Sequence, residues 1–501
     1  MNDKIDLLLV KPGNQQKLYG ELSAALSGSL PLSAIEPPVL AAVLAAFIRQ
    51  HGYSVKMLDA EAENLSPEGT ADKIIKYNPL LAAVFISGTN PSASTQNMPG
   101  AGAIIRSIKE KAPHIKTLLG GLHPSSLPER TLKEEDADFV CQGEGFDTIL
   151  QLLAALKSGK TDDLSINGLW YQRDGKVISN PRAPLIKNLD ELPMAAWDLL
   201  PMEKYRAHNW HCFGHLDQRQ PYAVIYTSLG CPFSCSFCCI NSIFGQRGIR
   251  SRSPENVIEE IDYLVKNYQI KNLKILDELF VINEQHVIGL CDLIIQRGYD
   301  LNIWAYSRID TINEKMLRKM KQAGINWLAY GIESGSKKVR DGVTKGRFGQ
   351  DDIRKVLKMT RAAGIYIGGN FIFGLPDDDM ETMQETLDLA KELNCEYTNL
   401  YVAMAYPGSQ LYEDAVCNNI KLPDSWLGYA QYSDETYPLA TKYLSSADVL
   451  RFRDRAFEEF NNSPQYQEMI RQKFGEDTVE HIREMLKRKL HRKLLEEEQV
   501  R

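Results

Sequence analysis

Two stretches of this chain alternate short apolar runs with amphipathic segments, and that alternation leaves few architectures open. In the first, residues 5–10, 54–58, 82–87, 117–119 and 139–141 read as strands. Helical patterns such as 38–51 and 100–111 separate them. Strands alternating with helices in this way predict an N-terminal Rossmann-like, doubly wound parallel sheet. In such a sheet ligands sit beyond the carboxyl ends of the strands. The loops expected there are rich in small residues: Ser87-Gly88-Thr89, Gly120-Gly121-Leu122-His123-Pro124 and Gln142-Gly143-Glu144-Gly145. Glycines and hydroxyls let backbone approach a large or phosphate-bearing ligand. No G-x-G-x-x-G follows the first strand, so a dinucleotide is not expected.

The second stretch opens with a strand at 222–228. It continues with strands at 272–276, 302–306, 327–331, 366–373 and 397–402, separated by helices at 256–267, 284–296, 314–323, 350–363 and 380–393. About six such units predict a partial (β/α)6 TIM-like barrel with its functional groups at the carboxyl ends of the strands. The expected divisions are 1–160, a linker at 161–217, the barrel at 218–415 and a mainly helical extension at 416–501. The linker holds a small hairpin turning at Asp174-Gly175, then Pro181, Pro184, Pro193 and Pro201, and carries no assigned chemistry. In the extension, Trp426, Tyr429, Tyr432 and Tyr437 either wall off a substrate or pack the extension on the barrel. A last helix is expected to carry Ile482, Met485, Leu486, Leu490 and Leu494 beside Lys487, Arg488, Lys489, Arg492 and Lys493. That face would suit peripheral contact with a membrane or an anionic partner.

Of nine cysteines, four lie between Cys231 and Cys239. A local cluster in a reducing compartment points to metal rather than disulfides. The N-terminus has acidic residues where a signal peptide would be basic, and no apolar run approaches the roughly 18 residues of a membrane span. The expected location is therefore the cytoplasm. A formal net charge of −7 gives no reason to expect nucleic acid. Cys231-Pro232-Phe233-Ser234-Cys235-Ser236-Phe237-Cys238 places three thiols, C-x3-C-x2-C, directly after a strand. Such a set selects zinc or iron–sulfur, and three protein ligands leave one position open, as catalytic metals require. Cys239, adjacent to a ligand, is read as spare.

That loop resembles the signature of the radical SAM superfamily, with an aromatic, Phe237, before the third cysteine. The segments Gly120–Pro124, Pro128-Glu129 and Asp138–Gly145, with Pro37–Leu44 upstream, are similar to the cobalamin-binding domain found ahead of many radical SAM domains. The resemblance implies a [4Fe–4S] cluster on Cys231, Cys235 and Cys238, with S-adenosylmethionine (SAM) at the open iron and near Phe237, Asp277, Arg308, Glu333 and Gly374. It implies cobalamin near Ser87, Gly88, Thr89, Gly120, Gly121, His123, Gln142, Gly143 and Glu144. It further implies reductive SAM cleavage to a 5′-deoxyadenosyl radical, a small-molecule substrate and an external donor such as flavodoxin or ferredoxin. Cobalamin-dependent methyl transfer to an unactivated carbon is the leading expectation. Ring formation, rearrangement or oxidation is the alternative, and a non-catalytic cofactor-binding module is a further one. The Asp-x-His-x-x-Gly motif that ligates cobalt from below is absent; Asn209-Trp210-His211-Cys212-Phe213-Gly214 carries only its second half.

Overall fold

A computed structural model of the chain describes residues 5–13, 33–86 and 91–500. In the first sheet, β1 (Leu7–Lys11), β2 (Val55–Asp59), β3 (Leu81–Ile86), β4 (Lys116–Gly121) and β5 (Phe139–Cys141) run parallel in the order β2-β1-β3-β4-β5. Leu7, Leu9 and Ala83 face helices Val39–Gln50 and Phe146–Ser158. Leu8, Val10 and Val84 face Pro67–Tyr77 and Met98–Lys111 on the other side. Burial on both faces is why these strands read as continuous apolar runs rather than as alternations.

The expected hairpin forms as β6 (Leu169–Arg173) and β7 (Lys176–Ser179), but it is not linker. β6 pairs antiparallel with β5 and extends the first sheet to seven strands. β5 is only three residues long, and β6 gives it an apolar residue on each face: Tyr171 joins one core and Trp170 packs on the other.

The second sheet comprises β8 (Tyr222–Ile225), β11 (Asn272–Ile275), β12 (Asn302–Ser307), β13 (Ile325–Glu333), β14 (Tyr366–Phe373) and β15 (Tyr397–Val402), all parallel and in that spatial order. Between β8 and β11, β9 (Ser228–Leu229) and β10 (Arg250–Ser251) form a two-stranded antiparallel ribbon. The remaining linker closes the floor of this partial barrel. Trp210 stacks on Tyr397 with centroids 4.9 Å apart and meets Trp304 and Trp327 edge-on. His211 Nε2 lies 3.1 Å from the Asn302 carbonyl. Above this floor Tyr306 and Asn370, on strands with neighbours on both sides, are only half-buried, so the barrel encloses open space.

The extension departs from expectation at its end. The last helix does not run through: Glu476–Leu486 stops, and a separate helix starts at Lys493. Arg492 between them is buried, bonding both Asp454 oxygens and the carbonyls of Gln431 and Ser433. Lys493 pairs with Asp434, and Lys489 with Glu458. The basic stripe is thus broken by the need to satisfy carbonyls of an irregular segment. No helix among the described residues is long and apolar enough to cross a membrane. Upstream, the aromatic stretch reaches the first domain. Trp426 meets His123 edge-on at 4.5 Å and lies under the Arg130 guanidinium, 4.3 Å from its ring.

Candidate active site

β8 ends in a corner held by Asp277. Its carboxylate accepts from the Thr227 amide and from the hydroxyls of Thr227 and Ser228, each at 2.6 Å. The residue is 2% exposed. These contacts engage both of its oxygens within the chain itself, where the resemblance placed SAM. Its neighbour Glu278 follows the same strand and carries no ligand role in the sequence reading. Glu278 is half-buried, accepts from the Gly230 amide at 3.1 Å and lies beside Cys231; burial pushes its carboxyl up to about 7.

The loop that follows is pinned from both sides. Ser236 donates its amide to Val343 and accepts from Leu411, and the Thr344 hydroxyl donates to Ser234 at 2.6 Å. Gly230 has φ 94°, and a Cβ there would lie 2.5 Å from the Gly248 carbonyl, so only glycine turns the chain into the loop. Cys231, Cys235 and Cys238 are half-buried, whereas Cys239 is 2% exposed in the core. Burial pushes the Cys231 and Cys238 thiols up. No group of three or more His, Cys, Asp or Glu side chains among the described residues stands close enough to hold a single ion. A cluster asks for something else, since each of its cysteines binds a different iron. Three thiols on one loop fit that donor set.

Arg308, Glu333 and Phe237 gather at the same mouth. Arg308 lies over the Phe233 ring at 3.7 Å, reaches to 3.7 Å from Cys235 Sγ, and pairs with Asp310 at 2.8 Å. Glu333, at φ 69°, pairs with Lys345 at 2.7 Å, and the Lys345 ammonium lies 5.8 Å from the Phe237 ring centre. Lys345 was not singled out in the sequence, where nothing distinguishes it from a surface lysine. Burial opposes its charge, but the Glu333 carboxylate outweighs that and holds its pKa above the ordinary value. Gly374 has a packing reason to be glycine: a Cβ would strike Val449 of the C-terminal extension at 2.4 Å.

In the first domain, Gly121 has φ 110° and a Cβ would lie 2.4 Å from the Ile86 carbonyl, while Gly120 lies against the Phe85 ring. His123 is buried, with Nδ1 3.1 Å from the Thr95 hydroxyl; burial first, then Arg130, pushes its pKa down to about 3, so it is neutral. Gln142 accepts from Trp170 Nε1 at 3.2 Å, and the Gly143 amide donates to Ser125 at 3.0 Å. Glu144, expected near cobalamin, has a partner within the chain. Both its oxygens bond Arg250 of β10, at 2.7 and 3.1 Å, tying the first sheet to the barrel. Ser87, Gly88 and Thr89 lie outside the described residues.

The two loop sets meet. Helix Leu122–Ser126, which follows β4, abuts helix Asn241–Phe244, which follows the cysteine loop, with Ser126 and Ser242 hydroxyls 2.7 Å apart. Gly408 fits between them; its Cβ would lie 2.5 Å from one and 2.6 Å from the other. The ligand-binding edge of a doubly wound sheet therefore opens on the cysteine loop, which is where the residues suit a corrinoid.

Residues 32–153 match the B12 binding domain and residues 225–390 the radical SAM superfamily. The chain is 34% identical over 429 residues to an uncharacterized methyltransferase of Pyrococcus horikoshii, covering 85% of this chain and 88% of that one. This chain belongs to the cobalamin-binding radical SAM family. A second relative of this radical SAM enzyme is the anaerobic magnesium-protoporphyrin IX monomethyl ester cyclase of Rubrivivax gelatinosus, 28% identical over 395 residues, 77% of this chain and 68% of the cyclase. In structure the enzyme is similar to the radical S-adenosylmethionine methyltransferase TsrM of Kitasatospora setae. The TM-score is 0.66 at 17% identity, covering 91% and 90% of the two chains, and the likeness is one of fold. Its cofactors are a [4Fe–4S] cluster, SAM and cobalamin.

Proposed function

We propose that this enzyme transfers a methyl group to an unactivated carbon of a small molecule held in the barrel chamber. The observation that carries the reading is the Ser126–Ser242 junction, where the cobalamin-type loops rest on the cysteine loop, so that both cofactors serve one chamber. Cys231, Cys235 and Cys238 would hold three irons, with SAM taking the fourth. Glu278 and Arg308 suit its ammonium and carboxylate, and Glu333 and Phe237 complete that wall. Gly120, Gly121, His123, Gln142 and Gly143 would line the corrinoid. His123, with Nδ1 at the Thr95 hydroxyl and its ring against Trp426, would serve that lining as a neutral imidazole. When bound, the cluster and SAM supply hydrogen abstraction and the corrinoid carries the methyl group. The protein's part is to keep water from that space. Trp210, Trp304 and Trp327 close the floor. A flavodoxin- or ferredoxin-type donor and a reducing, cytoplasmic setting suit nine cysteines of which none forms a disulfide.

A second reading, oxidative ring formation, is favoured by the cyclase relative. The two differ in products. Methyl transfer yields S-adenosylhomocysteine together with 5′-deoxyadenosine from anaerobic, reduced enzyme. Ring formation yields 5′-deoxyadenosine without S-adenosylhomocysteine, and that result would reverse the preference.

A further inference from the structure

An inward position on a barrel strand is ordinarily filled by a bulky apolar side chain. In β11 that position is Lys274, level with Val224 of β8 and Trp304 of β12. Lys274 is 1% exposed, and its ammonium holds both oxygens of Glu36, at 3.0 and 2.9 Å. Tyr222, also on β8, donates its hydroxyl to the same carboxylate at 3.2 Å. Glu36 comes from the other domain, on the irregular stretch before helix Val39–Gln50, where Ile35 bridges to Arg206. A carboxylate from the cobalamin-binding half is thus seated inside the radical SAM barrel, 4.9 Å from ammonium to Trp304 ring centre and 6.0 Å to that of Tyr306.

Stability is a poor reason for this pair, because apolar residues of similar volume usually serve a core at least as well as a buried ion pair. We propose that Lys274 and Tyr222 are the anchor for an anionic group of the substrate, a carboxylate or a phosphate, and that Glu36 is an internal stand-in which that group replaces. The inference rests on the barrel chamber being the substrate site. Lys274 is fixed on a strand between two neighbours, whereas Glu36 sits on irregular backbone with its side chain 12% exposed. The Lys11 ammonium, already paired with Glu61 at 2.6 Å and Asp59 at 3.5 Å, holds the Glu36 backbone by its carbonyl at 2.7 Å and leaves the side chain free to turn. Exchange therefore leaves the incoming anion on Lys274 and turns the released carboxylate outward from a side chain that already reaches solvent, with no buried charge stranded. A cationic group would have to expel Lys274 from its strand. The rest of the chamber lining is aromatic and amide: Tyr306, Tyr401, and Asn370 bonded at 2.7 Å to Asn399. The substrate class is accordingly a largely apolar or aromatic small molecule with one anionic end.

The test uses calorimetric titration of the reconstituted full-length enzyme with three probes: 3-phenylpropionate, 3-phenylpropyl phosphate and 3-phenylpropylamine. At least one anion binds, the amine binds at least about tenfold more weakly, and the better anion identifies carboxylate or phosphate as the recognised group. Glu36→Gln keeps the shape but removes the competing charge, so it tightens anion binding about tenfold or more. Lys274→Met abolishes binding at unchanged iron and corrinoid content. Preference for the amine, absence of binding by all three probes, or an unchanged or weakened affinity in Glu36→Gln overturns the anchor. Because Glu36→Gln gains affinity, its expected result cannot come from misfolding. Failure of methyl transfer is read separately, from S-adenosylhomocysteine, and leaves these binding results standing.

Discussion

Replacing Asp277 by Asn separates a strut from a ligand. The carboxylate accepts three hydrogen bonds at 2.6 Å from Thr227 and Ser228 in a fully buried corner. Asparagine keeps one acceptor oxygen, which can serve the Thr227 amide, and turns the other into a donor facing two hydroxyls. Hydrogen bonds to a charged group contribute about 1.5–3 kcal/mol each, and reorientation of the hydroxyls recovers part of the two that are lost, so the expected cost is about 2–4 kcal/mol. The corner leads directly into Cys231, so the strain falls on the cluster loop. The assay is denaturant unfolding, with iron per chain and SAM dissociation constant measured on iron-normalised protein. Stability and iron content should fall together, while the iron-loaded fraction binds SAM as before. Unchanged stability and iron with weakened SAM binding would refute the reasoning and return Asp277 to the role its sequence position implied.

Three further outcomes follow from the same contacts. Glu144→Arg or Arg250→Glu alone should each cost about 2–5 kcal/mol, and the double exchange should restore most of that and full corrinoid loading; a corrinoid ligand would not be rescued by the swap, as read by melting and visible absorbance. Gly121→Ala combines a φ of 110° with a 2.4 Å approach to the Ile86 carbonyl, so it should destabilise the first domain by at least about 2 kcal/mol and lower corrinoid binding. Glu135 is pushed up from 4.5 to about 7, by burial first, with half-exposed Arg106 recovering only part. The folded form binds the proton more tightly, so this contribution to stability is present below pH ~4.5 and is lost as pH rises through about 7; the loss amounts to about 3 kcal/mol. Glu135→Gln should flatten that slope, and equal slopes in the two proteins would contradict it.

A strand buried on both faces leaves an unbroken apolar run, and Phe139–Cys141 falls where that pattern puts it; Tyr366–Phe373 and Tyr397–Val402, half-buried at intervals along their length, also fall where they are expected. The cysteine loop was legible because its chemistry lies in local spacing. What was hidden depends on partners distant in sequence. Asp277 and Glu278 both follow one strand, and successive residues there point opposite ways, so a one-residue error exchanges the strut for the group facing the cysteines. A hairpin pattern does not say which edge it joins, so β6 and β7 passed for linker. The run from Ile482 to Leu494 keeps helical spacing across residues the fold uses to bury Arg492. Glu144 sits in a motif that predicts a ligand, but Arg250, 106 residues away, claims its carboxylate.

The central claim is that one chain holds both cofactors against one chamber. It is tested most directly by metal analysis and the visible spectrum of anaerobically purified enzyme beside Cys235→Ala. The account predicts about four irons and one corrinoid per chain, with the variant losing iron while keeping corrinoid. Zinc in place of iron, or four irons with no corrinoid, would contradict it.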